Sequence, residues 1–230
     1  MAYADYFPRR INMRVPNMNF AADVPTSGIQ RIDFGAVPAL STTSLANVVL
    51  STTAVALTLK VADGTLLLGG AVGDATTCRW GRGIQIVGNG ASTRAITVTG
   101  YDYLGQKITW TGVLNGTTPV KPTKMFMWLD NIVFAAAADT VSVSVGTYDA
   151  LGLPYQSASM ISEMKSDVVA ANAGTFTAAI YTDPQTATTG DPRGSYLPLT
   201  VVPDGTVPFS ITVNVAVTKK NLHGVAHYAA

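Results

Sequence analysis

The sequence predicts an all-β protein, a jelly-roll-like antiparallel β-sandwich with an extended N-terminal arm. Three observations carry that expectation. Near the C-terminus, Phe209, Ile211, Val213, Val215 and Val217 alternate with Ser210, Thr212, Asn214, Ala216 and Thr218, the period of a strand with one buried face. Between residues 93 and 155, four alternating or apolar runs follow one another with turn residues between them, a density typical of sandwiches and barrels. Glu163 is the only glutamate in the chain, so long helices rich in Glu, Lys and Leu are absent.

In chain order, residues 1–30 read as the arm. Pro8, Pro16 and Pro25 interrupt any helix, and Tyr3, Tyr6, Phe7, Met13, Met18 and Phe20 space apolar anchors along it. Arg9, Arg10 and Arg14 form the one local basic cluster. The β-domain is expected to span residues 31–218. A short strand covers residues 31–34, and the β-branched stretch 45–61 is a strand pair or one long irregular strand. Residues 62–64 turn, residues 66–68 precede a Gly-rich stretch, and residues 69–83 read as a long surface loop carrying Cys78, Arg79, Trp80 and Arg82. A tryptophan between two arginines on a loop is either an interface anchor or a lid over the core edge. Residues 84–87 make another strand, and Gly88, Asn89 and Gly90 turn the chain.

The central stretch opens with Ile96 and Val98 pointing one way and Thr97 and Thr99 the other. Asp102, Leu104 and Gly105 then make a hairpin tip that needs glycine at positive φ, leading into a second alternating run over residues 107–113. Asn115 and Gly116 close that strand. Residues 125–134 are apolar enough for the middle of a sandwich, and Val141, Val143 and Val145 alternate with Ser142 and Ser144. After Pro154, residues 157–171 read as the one helix, with Ser157 or Ser159 as cap and Met160, Ile161, Met164 and Val168 on one face. Residues 174–181 form a strand and residues 182–194 a loop. Residues 219–230 are a tail, and no repeat of 20 to 50 residues indicates a solenoid.

The order of these central features, ITVTGYDYLGQ, TGVLNGTT, KMFMWLDNIVF and DTVSVSVGTYDALGLPY, resembles the capsid cement or decoration proteins of tailed bacteriophages. In that group a VTGTD-type hairpin precedes a TxxxG strand, a KxFxxVxxI strand and a VSVGT segment ending in GLPY. Where the group carries SETI after the hairpin, this chain has KITWTG, which removes an acidic residue and adds Trp110. The resemblance implies a structural protein on the outside of a virion capsid, assembled in the host cytoplasm, that holds major capsid protein subunits together. Its partners would be the major capsid protein and neighbouring copies of itself, as a dimer or trimer.

Composition points the same way. The chain has 230 residues, of which 47% are hydrophobic and only 13% charged, with a formal net charge of +1. Soluble monomers keep more surface charge, so burial against partner subunits is the more economical account. Beyond the N-terminus there is no basic stripe of the kind nucleic-acid binding requires, and no apolar run approaches a membrane span. Cys78 is the only cysteine, which excludes an intrachain disulfide or a cysteine-based zinc site.

Catalytic chemistry finds little material. His223 and His227 are the only histidines, and Gly224 and Val225 make a poor helix for an i, i+4 metal face. A Cys78-histidine pair has no supporting context, and GRGIQIVGNG lacks the spacing of a phosphate-binding loop. Aspartates beside glycine or proline, as at Asp63, Asp183, Asp191 and Asp204, read as turn formers. The chain is therefore expected to be no enzyme, with no cofactor and no metal. Its expected contact residues are Tyr6, Phe7, Arg9, Arg10 and Met13 in the arm and Arg79, Trp80 and Arg82 in the loop. The alternative is a carbohydrate-binding module or head-fibre adhesin, with Trp80, Trp110, Trp128, Tyr101 and Tyr103 as candidate platform rings.

Overall fold

The computed structural model describes residues 27–58, 60–61, 64–67, 80–103, 105–155, 157–170, 174–180, 188–199 and 203–216. Every regular element among them is a strand, and every pairing is antiparallel. The strands are β1 (Ser27–Gly35), β2 (Ser41–Val49), β3 (Val55–Thr58), β4 (Lys60–Val61), β5 (Gly64–Leu67), β6 (Arg82–Gly88), β7 (Ala95–Tyr101) and β8 (Lys107–Val113). They continue as β9 (Trp128–Phe134), β10 (Ser142–Gly152), β11 (Ser157–Lys165), β12 (Val168–Val169), β13 (Thr175–Thr177), β14 (Ser195–Leu197) and β15 (Phe209–Ala216).

They form three sheets. One has the order β1-β15-β11-β12; a second runs β13-β14-β10-β2, with β6 also on β10; the third runs β4-β5-β9-β7-β8, with β3 also on β9. The second and third sheets enclose the larger apolar core. Ile96, Val98, Ile108, Trp110, Leu129 and Phe134 from the third meet Ile84, Ile86, Val143 and Val145 from the second. A second core gathers Ile32, Phe34, Phe209, Ile211, Val213 and Val215 of the first sheet around Leu151, Leu153 and Tyr196. Strand β10 serves both cores, and its pairing with β6 shifts register between Thr147 and Leu151. At Gly146 a Cβ would collide with the carbonyl oxygen of Ser41, so glycine is what lets β2 cross β10 so closely.

The β7–β8 hairpin forms as its alternation predicts, pairing Ala95 with Val113 through Tyr101 with Lys107, and Gly105 takes φ 79° at its tip. Strand β15 is central in its sheet, and Phe209, Ile211, Val213 and Val215 are all buried. Val217 lies outside the described residues.

Three sequence expectations are corrected. The stretch read as a helix from residue 157 is strand β11, paired along β15, followed by β12. Strand β1 starts at Ser27, so residues 27–30, assigned to the arm, belong to the sheet. The strand expected over residues 174–181 is confined to Thr175–Thr177. Residues 1–26 and 217–230 lie outside the described residues.

Candidate functional site

Of the expected contact residues, Tyr6, Phe7, Arg9, Arg10, Met13 and Arg79 lie outside the described residues, as do Cys78, His223 and His227. Trp80 and Arg82 are described, and they lead into a polar knot where segments from distant parts of the chain meet. Trp80 is half-buried in a turn before Gly81, whose φ is 97° and whose carbonyl accepts the Gly152 N–H at 2.9 Å. The chain then enters β6 at Arg82.

Arg82 corrects the loop reading. It is buried, and its backbone bridges to Phe126. Its Nε donates to the Tyr148 carbonyl at 2.9 Å and its Nη2 to Asp149 Oδ1 at 2.9 Å. A guanidinium held this way is not available to a partner surface. Burial pushes the Asp149 carboxyl up, an effect that Arg82 and Lys121 partly offset. Lys121 lies over the Tyr148 ring, 4.1 Å from its centroid.

Beside Trp80, Tyr103 packs edge-on, with ring centroids 5.3 Å apart and an interplanar angle of 82°. The Tyr103 hydroxyl donates to the Pro154 carbonyl at 2.7 Å, and Arg193 sits 4.9 Å from the Tyr103 ring centre. Burial pushes the Tyr103 phenol upward, so it stays neutral. Arg193 Nη2 donates to Asp102 Oδ2 at 2.7 Å, and both side chains are almost wholly buried. Asp102 also shapes the hairpin: its Oδ1 accepts the Gln106 N–H at 2.8 Å and its carbonyl accepts the Gly105 N–H.

Asp191 completes the knot. Its Oδ1 accepts the N–H of Arg193, two residues on, at 3.0 Å, the local turn expected before Pro192. Its Oδ2 accepts the Met125 N–H at 2.9 Å, which ties that turn to the chain entering β9. Burial pushes the Asp191 carboxyl up, opposed by Arg193, the two backbone donors and Lys124, itself fully buried. Arg193 feels Asp191 and Asp102 together, and they hold its guanidinium charged despite burial.

Asp102 and Asp149 accept from a guanidinium, and both Asp191 oxygens accept from backbone N–H groups, so this arrangement ties distant segments of the chain together. Among the described residues, no group of three or more His, Cys, Asp or Glu side chains could hold a metal ion. No helix among them is long and apolar enough to cross a membrane. The sequence reading took Asp191 as a turn former and did not find its second role, nor Lys124, Asp102 or Arg193. The DPRG run at residues 191–194 was the available signal, an arginine set directly behind a turn aspartate.

A different feature lies on the face of the second sheet. An open trough of about 480 Å³ runs across β2, β10 and β6, lined by Thr42, Asn47, Ser142, Ser144 and residues 87–89. Its lining has hydroxyls, carboxamides and one valine, without a charged or aromatic group. No protein-family model, curated protein or solved structure matches the chain.

Proposed function

We propose that this chain is a structural virion protein, a cement or decoration protein on the exterior of a phage head, and not an enzyme. It would bind the outer surface of the shell, stabilise contacts between major capsid protein subunits, and act without nucleic acid, membrane or cofactor. The observation that carries this reading is where the charges lie. Of the chain's 15 basic and 14 acidic residues, Arg82, Arg94, Arg193, Lys124, Asp102, Asp149, Asp191 and Glu163 are buried. Among the described residues the interior thus holds a balanced set of four cations and four anions, while Ile29, Val49, Val113, Ile161, Val168 and Val169 stand exposed on the exterior. Such an exterior is suited to lasting contact with other subunits and poorly defended against it.

The resemblance in the central stretch is the second support for this reading; three of its motifs overlap β7, β9 and β10, and TGVLNGTT covers the end of β8 and the turn after it. The finer architecture belongs to the proposal: a jelly-roll-like sandwich, an N-terminal arm that reaches a neighbouring subunit, and self-association as a dimer or trimer. Binding only to the assembled shell would stabilise that state by mass action, repeated over many identical sites. With Arg82 buried, the proposed contact set is Tyr6, Phe7, Arg9, Arg10, Met13, Arg79 and Trp80.

The test removes residues 2–20, which stops short of β1. The truncated protein should keep its β-sheet circular dichroism yet be poorly retained on capsids stripped of their own copy. Capsids refilled with full-length protein should release DNA at a higher temperature than those refilled with the truncation. Equal protection by both forms would remove the arm from the mechanism.

The trough on the second sheet favours one other reading, recognition of a neutral carbohydrate through Asn47, Ser142 and Ser144. It has no ring to stack on a sugar face, and the Trp80–Tyr103 pair is perpendicular rather than coplanar. Glycan-array binding lost on Asn47→Ala would move the assignment to that class.

A further inference from the structure

The chain carries two Asn-Gly pairs, Asn89-Gly90 and Asn115-Gly116, and the fold treats them differently. A glycine after asparagine leaves its backbone nitrogen unshielded by a Cβ, so that nitrogen can reach the carboxamide carbon of the residue before it. Asn89 is held away from such an encounter. Its Oδ1 accepts the Ser142 N–H at 2.9 Å while its own N–H donates to the Ser142 carbonyl at 2.9 Å. The carboxamide is fixed toward β10 by a partner in that strand.

Asn115 has no such tether. It is exposed just beyond β8, and among the described residues its carboxamide has no hydrogen-bond partner. Its carbonyl accepts the Thr118 N–H at 2.9 Å, which fixes the backbone while leaving the side chain to rotate. Gly116 has φ 57°, and its N–H is engaged only by a long 3.2 Å bond to the Ser92 carbonyl. That bond is the one restraint on the nucleophile.

We propose that Asn115 is a site of spontaneous deamidation and isoaspartate formation, and that the Ser142 bond protects Asn89 from the same reaction. The Gly116 nitrogen loses its proton and attacks Asn115 Cγ, forming a C–N bond. The Cγ–Nδ2 bond breaks and ammonia leaves with the transferred proton, giving a five-membered imide. Water then opens the imide at either carbonyl, to aspartate or to isoaspartate. One water is consumed, one ammonia is released and no oxidant takes part.

The product matters because of where it forms. A carboxylate appears on an exterior of few charges, and the isoaspartyl form inserts an extra carbon into the backbone beside Gly116. The Gly116 carbonyl packs so closely against Gly88 that a Cβ there would lie 2.8 Å from it. The change would therefore be felt at the end of β6 as well as in its own turn.

The purified full-length protein, incubated at mildly alkaline and mildly acidic pH, tests this by peptide mapping and by labelling with an isoaspartyl methyltransferase. Of the two Asn-Gly pairs, only Asn115 should convert in the folded chain, faster at alkaline pH, and Asn115→Gln should remove the labelled isoaspartyl peptide that spans residue 115 without altering thermal melting. In strong denaturant both asparagines should convert. Equal conversion at Asn89 in the folded chain would overturn the protective role of Ser142. Absence of conversion at Asn115 under native conditions would overturn the proposal, whatever the denatured chain does.

Discussion

The core between the second and third sheets and the core around β15 solve the same problem with different materials. In the first, buried Ile, Val, Leu, Phe and Trp side chains fill the space, and buried Arg94 reaches out to Asp139 at the rim through its Nε at 2.6 Å. In the second, Glu163 lies on the inner face opposite Ile211 and bonds the Tyr196 hydroxyl, which also accepts the Gly174 N–H at 2.8 Å. The Asp102, Arg193 and Asp191 knot stands at the junction. Apolar packing is forgiving of detail, since volume and pattern largely suffice. Buried ions are not, because each must meet its partner or carry a large desolvation cost. Both cores are apolar in bulk, and the buried ionic contacts beside them fix which loops meet.

The largest effect should come from placing a charge where neither region has a partner for it. Val213 is fully buried on β15, between β1 and β11. Val213→Asp should abolish soluble folding, since an unpaired buried carboxylate costs several kcal/mol against a total stability of about 5–15 kcal/mol. A soluble variant with the parent's melting temperature would show that the strand is not part of a sealed core.

A paired experiment comes next. Phe134→Ala in the first core should cost about 3–5 kcal/mol through the cavity it leaves. Arg193→Met should cost a similar ~3–5 kcal/mol for another reason, two buried aspartates left without their guanidinium. The two variants should part company on a second change. Adding Asp102→Asn to Arg193→Met removes one stranded charge and should recover part of the loss in urea denaturation, whereas Phe134→Ala should gain nothing from it. Additivity in both backgrounds would mean that the knot is not an ionic unit.

The contrast also explains what could be read in advance. Strands β7, β8 and β15 were legible because nothing interrupts their period of two. Strand β11 was not, and its register shows why. Bulges between Ser157 and Ser159 and between Met160 and Ser162 place Ser157, Met160 and Glu163 opposite Val215, Val213 and Ile211. The apolar face that suggested a helix, Met160, Ile161, Met164 and Val168, is not this inward set, since Ile161 and Val168 are exposed; the two bulges leave no period of two to read. The tight turn after it, Ser166 and Asp167 at φ 47° and 64°, lacks the glycine that would have announced a hairpin. Arg82 was misplaced because glycines on both sides of it read as loop, although the strand begins at that arginine. The knot was illegible for a deeper reason: Asp102, Lys124 and Asp191 stand far apart in sequence, and only the tertiary fold joins them.

The smallest effect is the one that separates the two regions most cleanly, because acid should act on them with opposite sign. At the rim of the first core, the bond from Arg94 holds the Asp139 carboxyl below the usual carboxylate range. A lowered folded value contributes stability that is present above the unfolded value, near 3.9, and is lost as pH falls toward the folded one. In the knot, burial pushes Asp191 above its ordinary value. There the folded state takes the proton first, so falling pH relieves a burial cost until the unfolded value is reached, and stability rises over that window. Backbone amides near each site report on this separately. Ala135 and Leu114 donate to the carbonyls of Ala95 and Arg94, and Ile180 and Gly194 donate to the carbonyl of Asp191. Native-state hydrogen exchange, corrected for intrinsic rates between about pH 5 and pH 3, should show protection falling at Ala135 and Leu114 while it holds or rises at Ile180 and Gly194. Parallel loss at all four amides would mean that the two regions open as one unit, and that their different materials do not divide the stability of this fold.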